Sequence, residues 1–269
     1  MVFLEETVRG IRKDIVKMIG KAASGHPGGS LSSAEILTLL YFEQMNVDVN
    51  NPRKEDRDRF VLSKGHAAPV LYATLAAKGF FPRAELENLR QLGSILQGHP
   101  DMNKVPGVDM STGSLGQGIS VAAGMALAGK MDNKDHKIYA LLGDGELQEG
   151  LVWEAAMAAS HYQLNNLIAF VDNNNLQIDG AICEVMSPFP IDGKFEAFGW
   201  NVITVEDGHD FDELRTAVEV AKKSEDKPTV IICKTVKGKC VSFMENNAGW
   251  HGKGPNADEV KQALAELEA

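Results

Sequence analysis

The feature that most constrains the fold is a repeated order of strand, turn and helix. Lys137 to Leu142 is an apolar run typical of a buried strand, Gly143-Asp144-Gly145 follows as a turn, and Gly150 to His161 has the composition of a helix. Asn166 to Val171 is the next apolar strand. Alternation of this kind predicts a parallel sheet, because helices carry the chain back between parallel strands.

Further elements of both kinds extend this order along the chain. Periodic apolar residues predict helices over Leu4 to Ile19, Ser33 to Gln44, Ala67 to Lys78, Phe211 to Lys222 and Ala257 to Leu267, and strands over Arg59 to Leu62, Trp200 to Val205 and Thr229 to Cys233. The Gly- and Pro-containing stretch Ser24 to Gly29 must end the first helix. With no internal repeat and no long linker, we predict one α/β domain over residues 1–269, a doubly wound, mainly parallel sheet flanked by helices.

Composition limits the classes of function. A chain of 269 residues with 44% hydrophobic side chains can bury a sizeable core. Its net charge of -10, with dispersed Lys and Arg, argues against a nucleic-acid partner. The cysteines Cys183, Cys233 and Cys240 lack metal-ligand or redox spacing, which favours free thiols in a reducing compartment. No export signal and no membrane-spanning run is visible, so we expect a cytoplasmic protein without membrane contact.

The polar residues of greatest interest follow two neighbouring strands. Asp144 and Asn174 lie 30 residues apart, each directly after an apolar strand, and strand carboxyl ends are where such sheets bind ligands. Carboxylate and amide oxygens suit Mg²⁺, while flanking glycines and a helix N-terminus suit a diphosphate. Gly-Asp-Gly alone is more often a simple tight turn. The pair of turns in this strand context favours a ligand site.

The pair resembles the motif of thiamine-diphosphate enzymes, in which Gly-Asp-Gly precedes Asn-Asn by about thirty residues. Over nearly the whole chain the sequence is similar to transketolases. The stretches that carry this resemblance, in the family's order, are Ser24-Gly25-His26-Pro27-Gly28, Asp56 to Ser63, Gly65-His66, Gly98-His99-Pro100 and Gly113-Ser114-Leu115-Gly116-Gln117-Gly118. An ordered set of this length is specific to one family.

The resemblance implies a thiamine diphosphate site with Mg²⁺, or Ca²⁺ or Mn²⁺ in its place. It assigns His66, Gly113, Ser114 and Leu115 to the cofactor, Gly145 to its diphosphate, and Asp144, Asn174 and the Leu176 carbonyl to the metal, with Asn174 and His251 also counted as cofactor-binding. His26, His99 and His251 would line the substrate channel as catalytic residues, since imidazole titrates near neutrality. The surroundings of His251 match the family only loosely.

Two carboxylates on the predicted helix after the metal turn remain open to two interpretations. By resemblance Glu149 and Glu154 would be catalytic residues at a subunit interface that connects two active sites. Each could equally belong to a solvated helix face.

The resemblance covers only the first part of a transketolase. In the family a carboxylate of the pyrimidine-binding domain activates the cofactor, and the pyrimidine and C-terminal domains are absent here. We therefore expect the N-terminal subunit of a split transketolase, which binds a C-terminal partner subunit, as a heterotetramer, and transfers a two-carbon ketol unit from a ketose phosphate to an aldose phosphate in the pentose phosphate pathway.

Other functions stay open. The chain could belong to a split thiamine-diphosphate enzyme for unusual sugars, or resemble a deoxyxylulose-phosphate synthase. It could be a non-catalytic structural relic, against which the intact Asp144, Asn174 and channel histidines argue. A generic Mg-nucleotide-binding protein is disfavoured because Gly-x-x-x-x-Gly-Lys-Ser/Thr does not occur.

Overall fold

The computed structural model describes residues 2–268, and its centre is a parallel β-sheet. Within that range the sheet has five strands in the spatial order β1-β2-β3-β7-β6, and every neighbouring pair is parallel. Its strands are β1 (Arg59–Leu62), β2 (Ile138–Gly143), β3 (Leu167–Asn173), β6 (Asn201–Val205) and β7 (Thr229–Lys234), while β4 (Leu176–Gln177) and β5 (Gly180–Ala181) form a separate antiparallel hairpin. The predicted α/β class is confirmed.

Helices cover both faces of the sheet. They are α1 (Val2–Ala22), α2 (Pro27–Leu31), α3 (Ala34–Leu39), α4 (Ala68–Lys78), α5 (Gln117–Met131), α6 (Gly150–His161), α7 (Ile182–Val185), α8 (Ile191–Ala197), α9 (Phe211–Lys222) and α10 (Ala257–Glu266). Alternate strand residues point to opposite faces. Tyr139 and Leu141 of β2 pack into a core with α1, α3, α4 and α9. Ala140 and Leu142 pack into a second core with α5, α6 and α8.

Most of the predicted elements are present, but the helices differ in several places, and the short helices α7 and α8 have no counterpart in the prediction. The predicted helix from Ser33 to Gln44 is α3 followed by a π-helical turn over Leu40–Gln44. The stretch expected to stop the first helix does so, but its second half forms the start of the short helix α2. Helix α5 has no counterpart in the prediction, because its glycines and alanines are apolar without a periodic polar side.

The register of the central strands aligns the polar residues at their carboxyl ends. Gly143 of β2 lies opposite Asp172 of β3, and Asp172 lies opposite Cys233 of β7. Asn173 pairs in turn with Lys234. Three neighbouring strands therefore end side by side, and the residues that follow them share one edge of the sheet. No helix between residues 2 and 268 combines the length and the apolar character that crossing a membrane requires.

Candidate active site

A cavity of about 180 Å³ lies at the carboxyl edge of the central strands. It is lined by residues from the turns after β1, β2, β3 and β7 and from nearby loops: Gly29, Lys64, His66, Leu115, Gly143, Asp144, Gly145, Glu146, Gln148, Glu149, Asp172, Asn174, Leu176, Gln177, Ile178, Lys237 and His251. The set contains cations, carboxylates, amides and imidazoles in a small volume. Larger surface grooves exist elsewhere, but this cavity gathers most of the residues singled out by sequence, although His26, His99, Gly113, Ser114 and Glu154 do not line it.

Asp172 is the polar centre beneath the cavity. Its side chain is fully buried, and its Oδ2 atom accepts hydrogen bonds from Lys64 Nζ at 2.5 Å and Asn174 Nδ2 at 2.8 Å. Ser32 Oγ also donates to Oδ2, at 2.7 Å, and the Thr235 hydroxyl donates to Oδ1. A buried carboxylate with this many donors is saturated by the protein itself. Asp172 therefore acts as an anchor for the surrounding side chains.

The charge of this anchor is fixed by its cation. Burial raises the pKa of the Asp172 carboxyl, but Lys64 and the hydroxyl donors outweigh burial and hold that pKa at about 2. Lys64 is itself buried, and its ammonium also donates to the Gly29 carbonyl at 2.9 Å and to Ser33 Oγ at 2.6 Å. The ammonium is thus held in place by three partners. The ion pair and these hydrogen bonds link β3 and the turn after β1 to α2 and to the residue that precedes α3.

Asp144 follows the neighbouring strand β2 and has a different electrostatic environment from Asp172. Its two carboxylate oxygens accept the backbone N–H groups of Gly145 at 2.8 Å and Asn175 at 2.5 Å. Burial and the neighbouring Asp172 raise the pKa of Asp144 to about 7. The compensating cation is Lys237, which is buried too and whose pKa burial lowers to about 8. Asp144 is therefore a carboxylate that a further positive charge would stabilise strongly.

Oxygen atoms suitable for a hard cation surround Asp144. Asn174, with its amide oxygen 3.2 Å from the Leu176 nitrogen, and Leu176 line the same cavity. Lys237 Nζ donates to the Leu176 carbonyl at 3.0 Å. Carboxylate, amide and carbonyl oxygens are the ligands that Mg²⁺ and Ca²⁺ prefer, and the raised pKa of Asp144 marks a site short of positive charge. The residues present fit a divalent cation shared with phosphate oxygens.

Glu146 ties together the loops that border the cavity. Its Oε1 atom accepts Ser63 Oγ at 2.5 Å and the Gly116 N–H at 2.9 Å, and Oε2 accepts the Gly143 N–H at 3.1 Å. Burial raises the pKa of Glu146, while these donors oppose the shift. The segment after Asp144 is a 3₁₀ turn over Gly145–Gln148, and α6 begins beyond it, so the expected helix N-terminus is set back from the metal turn.

The loop before α5 approaches the turn after β1 at backbone distance. A Cβ atom on Gly65 would lie 2.7 Å from the Gly113 nitrogen, and one on Gly118 would lie 2.5 Å from the Ser63 Cα. Only glycine fits at either place. The close approach brings Leu115 to the cavity wall, whereas Ser114 is exposed and does not line the cavity.

Three of the predicted histidines form one cluster beside the charged residues. The His66 and His251 rings stack with centroids 5.0 Å apart, and the His26 ring lies edge-on to both, at 5.1 Å from His66 and 5.6 Å from His251. His66 and His251 line the cavity. Residues far apart in the sequence thus meet through α2, the turn after β1 and the segment after β7.

Burial keeps these imidazoles neutral. Burial first, and then nearby cations and imidazoles, lower the pKa of His26 to about 4 and that of His251 to about 3, and they place the pKa of His66 well below its usual value. In the part of the chain that the structure describes, the buried Nδ1 atoms of His26 and His251 have no hydrogen-bond partner. Neutral imidazoles with free nitrogens can accept a hydrogen bond from a hydroxyl.

His99 is close enough to His26 to contribute to its lowered pKa, but it does not line the cavity. Its ring packs against Gly113, where an added Cβ would come within 2.9 Å of His99 Cδ2. The Tyr72 hydroxyl holds the loop by lying 3.0 Å from the carbonyls of both Gln97 and His99. Burial and the Arg90 guanidinium lower the pKa of His99, and Arg90 also contributes to the lowered pKa of His26. Arg90 is therefore a cation close to His26 and His99.

The two carboxylates left open by sequence occupy different places. Glu149 is exposed and lines the cavity just before α6. Glu154, one turn into α6, is also exposed but lines a separate groove between α5 and α6. The structure does not bring Glu154 to the histidines.

Sequence reasoning missed four buried charged residues of this site: Lys64, Glu146, Asp172 and Lys237. Each had a visible signal, since charged residues at the ends of apolar strands seldom lie buried unless they are paired. What the pattern could not show is which partner each would meet.

Comparison with known proteins agrees with this geometry. The chain belongs to the transketolase family, since residues 4–268 match the family model described as the thiamine diphosphate binding domain of transketolase. It is 48% identical over 265 residues to the 6-deoxy-6-sulfo-D-fructose transketolase subunit SqwG of Clostridium sp. (strain MSTE9), covering 98% of this chain and 96% of that protein. One of the subunits of the apulose-4-phosphate transketolase of Phocaeicola vulgatus is 46% identical, with 95% of this chain and 90% of that subunit covered.

Full-length transketolases align with the same region but are longer. Human transketolase is 45% identical over 266 residues, which span 98% of this chain and 42% of the human protein. The crystal structure of Campylobacter jejuni transketolase superposes with a TM-score of 0.93 at 36% identity, covering 100% of this chain and 43% of that one. The chain thus spans less than half of these full-length relatives and nearly all of the two subunits.

Proposed function

We propose that this chain is the diphosphate- and metal-binding subunit of a two-subunit transketolase, active only with a partner that carries the pyrimidine-binding and C-terminal domains. The observation that carries the proposal is the convergence of Asp144, Asn174 and Leu176 with the stacked rings of His66 and His251 in one cavity. Similarity to two relatives named as subunits, over almost their full length, supports the division into two chains.

The charged end of the cavity would hold the anionic part of the cofactor. Asp144, the Asn174 amide and the Leu176 carbonyl would bind Mg²⁺ through oxygen, and Gly145 would let the backbone approach the diphosphate. Lys237, which lines the same cavity, would neutralise phosphate charge. His66 and the Gly113-Ser114-Leu115 loop would contact the organic part of the cofactor.

The histidine end would face the sugar. Bound thiamine diphosphate supplies a nucleophilic thiazolium carbon, and the protein has to orient the ketose and move its hydroxyl protons. His26 and His251, neutral and with unpartnered nitrogens among the described residues, would accept hydrogen bonds from donor hydroxyls and so orient the sugar. His99 would contact the substrate farther out, supported by Tyr72 and Arg90.

Residues 1–269 would then form one diphosphate domain, with two copies of each chain in a heterotetramer. The exposed position of Glu154 beside the α5–α6 groove is compatible with a subunit interface. Glu149 would lie at the cavity mouth, between the interface and the cofactor.

Reconstitution tests the proposal. The purified chain is assayed for ketol transfer from xylulose 5-phosphate alone, with thiamine diphosphate and Mg²⁺, and again after addition of a C-terminal transketolase subunit encoded beside it. We expect activity only in the complete mixture. Full activity of the isolated chain would contradict the two-subunit proposal, whereas a mixture that neither binds thiamine diphosphate nor turns over would favour the structural relic.

A second candidate concerns the sugar. The two subunit-sized relatives are named for 6-deoxy-6-sulfofructose and apulose 4-phosphate, so the reconstituted enzyme could act on an unusual donor instead of a pentose phosphate. A donor panel with xylulose 5-phosphate, a sulfonated ketose and a branched ketose phosphate separates these cases, because the sugar with the highest kcat/KM identifies the substrate class.

A further inference from the structure

Three consecutive residues after β7 connect the floor of the cavity to the core. The Thr235 hydroxyl donates to Asp172, and its N–H donates to the Asn173 carbonyl at 3.2 Å. Lys237 extends its ammonium to the Leu176 carbonyl at 3.0 Å. Between them, the N–H of Val236 donates to Nε2 of His209 at 2.9 Å. His209 therefore accepts a hydrogen bond from the middle residue of this segment.

His209 belongs to a buried chain of hydrogen bonds. Its Nδ1 lies 3.0 Å from Glu35 Oε2, and the other oxygen of Glu35 pairs with the Arg12 guanidinium. The three side chains are only 5–6% exposed. Because Nε2 accepts the Val236 N–H, the ring proton lies on Nδ1 and is donated to Glu35. Both ring nitrogens are engaged, so the orientation of the imidazole is fixed.

This chain of hydrogen bonds lies outside the cavity. None of Arg12, Glu35 and His209 is among the residues that line it. The neighbouring turn reinforces the contact, since the Gly208 N–H donates to the Lys234 carbonyl at 2.7 Å. The network runs from α1 through α3 to the segment after β7, so its effect on the site passes through the backbone of Val236.

We propose that His209 is a positioning residue: by accepting the Val236 N–H it sets the direction in which Lys237 enters the cofactor cavity. The inference rests on the proposed function, because it assigns Lys237 to the diphosphate. Loss of the acceptor leaves a backbone N–H without its partner and lets the Thr235–Val236 peptide plane rotate, which changes the direction of the chain into Lys237. The ammonium then loses its fixed place opposite the anion.

Two amide variants separate the two nitrogens of His209. In His209→Gln the side-chain amide reaches the place of Nε2 and can accept the Val236 N–H, whereas in His209→Asn it reaches only the place of Nδ1 and keeps the contact to Glu35. Thiamine diphosphate is titrated calorimetrically at saturating Mg²⁺ into the full chain and into the reconstituted two-subunit protein. We expect His209→Asn to weaken binding of thiamine diphosphate by about 10- to 100-fold, the usual effect of losing a residue that orients a ligand-binding group. His209→Gln should retain most of the wild-type affinity.

A second measurement does not depend on the cofactor. Hydrogen exchange of the Val236 amide should be accelerated in His209→Asn and close to wild type in His209→Gln, with an unchanged unfolding midpoint as the control for folding. If Val236 exchange is the same in all three proteins, the positioning role is overturned, even where binding is too weak to measure.

A double-mutant cycle with Lys237→Met completes the test. Because His209 is proposed to act through Lys237, His209→Asn should have little further effect on cofactor affinity in the Lys237→Met background. Additive losses would overturn the inference. If wild-type protein binds no thiamine diphosphate, either as the isolated chain or in the reconstituted two-subunit protein, that result counts against the proposed function. The hydrogen exchange of the Val236 amide then still decides the role of His209.

Discussion

The two ends of the cavity bury polar groups in opposite ways. At the charged end, Lys64 and Asp172 satisfy each other and are held by further hydrogen-bond partners, so that this pair is complete within the protein. At the histidine end, burial removes the charge from the imidazoles, and within residues 2–268 no group meets the Nδ1 atoms of His26 and His251. The difference separates a buried ion pair from neutral imidazoles that can still accept hydrogen bonds.

The largest expected effect comes from breaking the buried ion pair of Lys64 and Asp172. Lys64→Met leaves the Asp172 carboxylate buried without its cation, and loss of one partner of a buried pair costs about 3–5 kcal/mol of unfolding free energy. Denaturant unfolding measures the loss. Lys21→Met is the matched control, because Lys21 pairs with Glu87 on the surface and its loss should cost less than about 1 kcal/mol. Equal costs for the two variants would refute the distinction.

Asp144 belongs to the charged end but has a different role from Asp172. Asp144→Ala removes a proposed metal ligand, so Mg²⁺-dependent binding of thiamine diphosphate should weaken by more than about 100-fold. The fold should be retained, since Asp144 follows a strand and fills no apolar core. Calorimetry with and without Mg²⁺, alongside a circular dichroism spectrum, checks both statements. Wild-type affinity in this variant would contradict the metal assignment.

The histidine end predicts a pH dependence of stability. Unfolding returns His26 and His251 to a pKa of 6.5 from about 4 and about 3, so the unfolded state binds more protons between these values. The contribution of these residues to stability is therefore complete above about pH 6.5 and falls as the pH drops from there toward about 4 for His26 and about 3 for His251. The double variant His26→Gln, His251→Gln should show a shallower fall in its unfolding midpoint. The exposed His161→Gln is the control and should match wild type.

The smallest effect tests the border of the cavity. Glu149 lines it, so Glu149→Gln removes a negative charge near the proposed diphosphate and should tighten cofactor binding by about two-fold at low salt, the size of an exposed charge effect. Glu154→Gln, in the separate groove, should leave the affinity unchanged. A titration that shows equal changes for both would place the boundary of the site elsewhere.

How far the sequence predicts this protein depends on the kind of interaction. Strand ends such as Asp144 and Asn174 follow from local apolar runs, and register then brings them together. Helix α5 escaped prediction because an Ala- and Gly-rich helix has no periodic polar side to reveal it. Lys64, Asp172 and Lys237 escaped because their importance lies in burial and pairing across more than 60 residues, which no local pattern records.

The hairpin of β4 and β5 is joined to the site differently from the strands of the main sheet. Gln177 and Ile178 of this hairpin line the cavity, yet in the described part of the chain its ladder is a two-residue pairing separate from the main sheet. Leu176, a proposed metal ligand, begins this hairpin, so changes at Gln177 and Ile178 would alter the cavity wall beside the proposed metal site without changing the register of the main sheet. Directed evolution of cofactor affinity can therefore begin at this hairpin, whereas the search for new donor sugars belongs at the histidines.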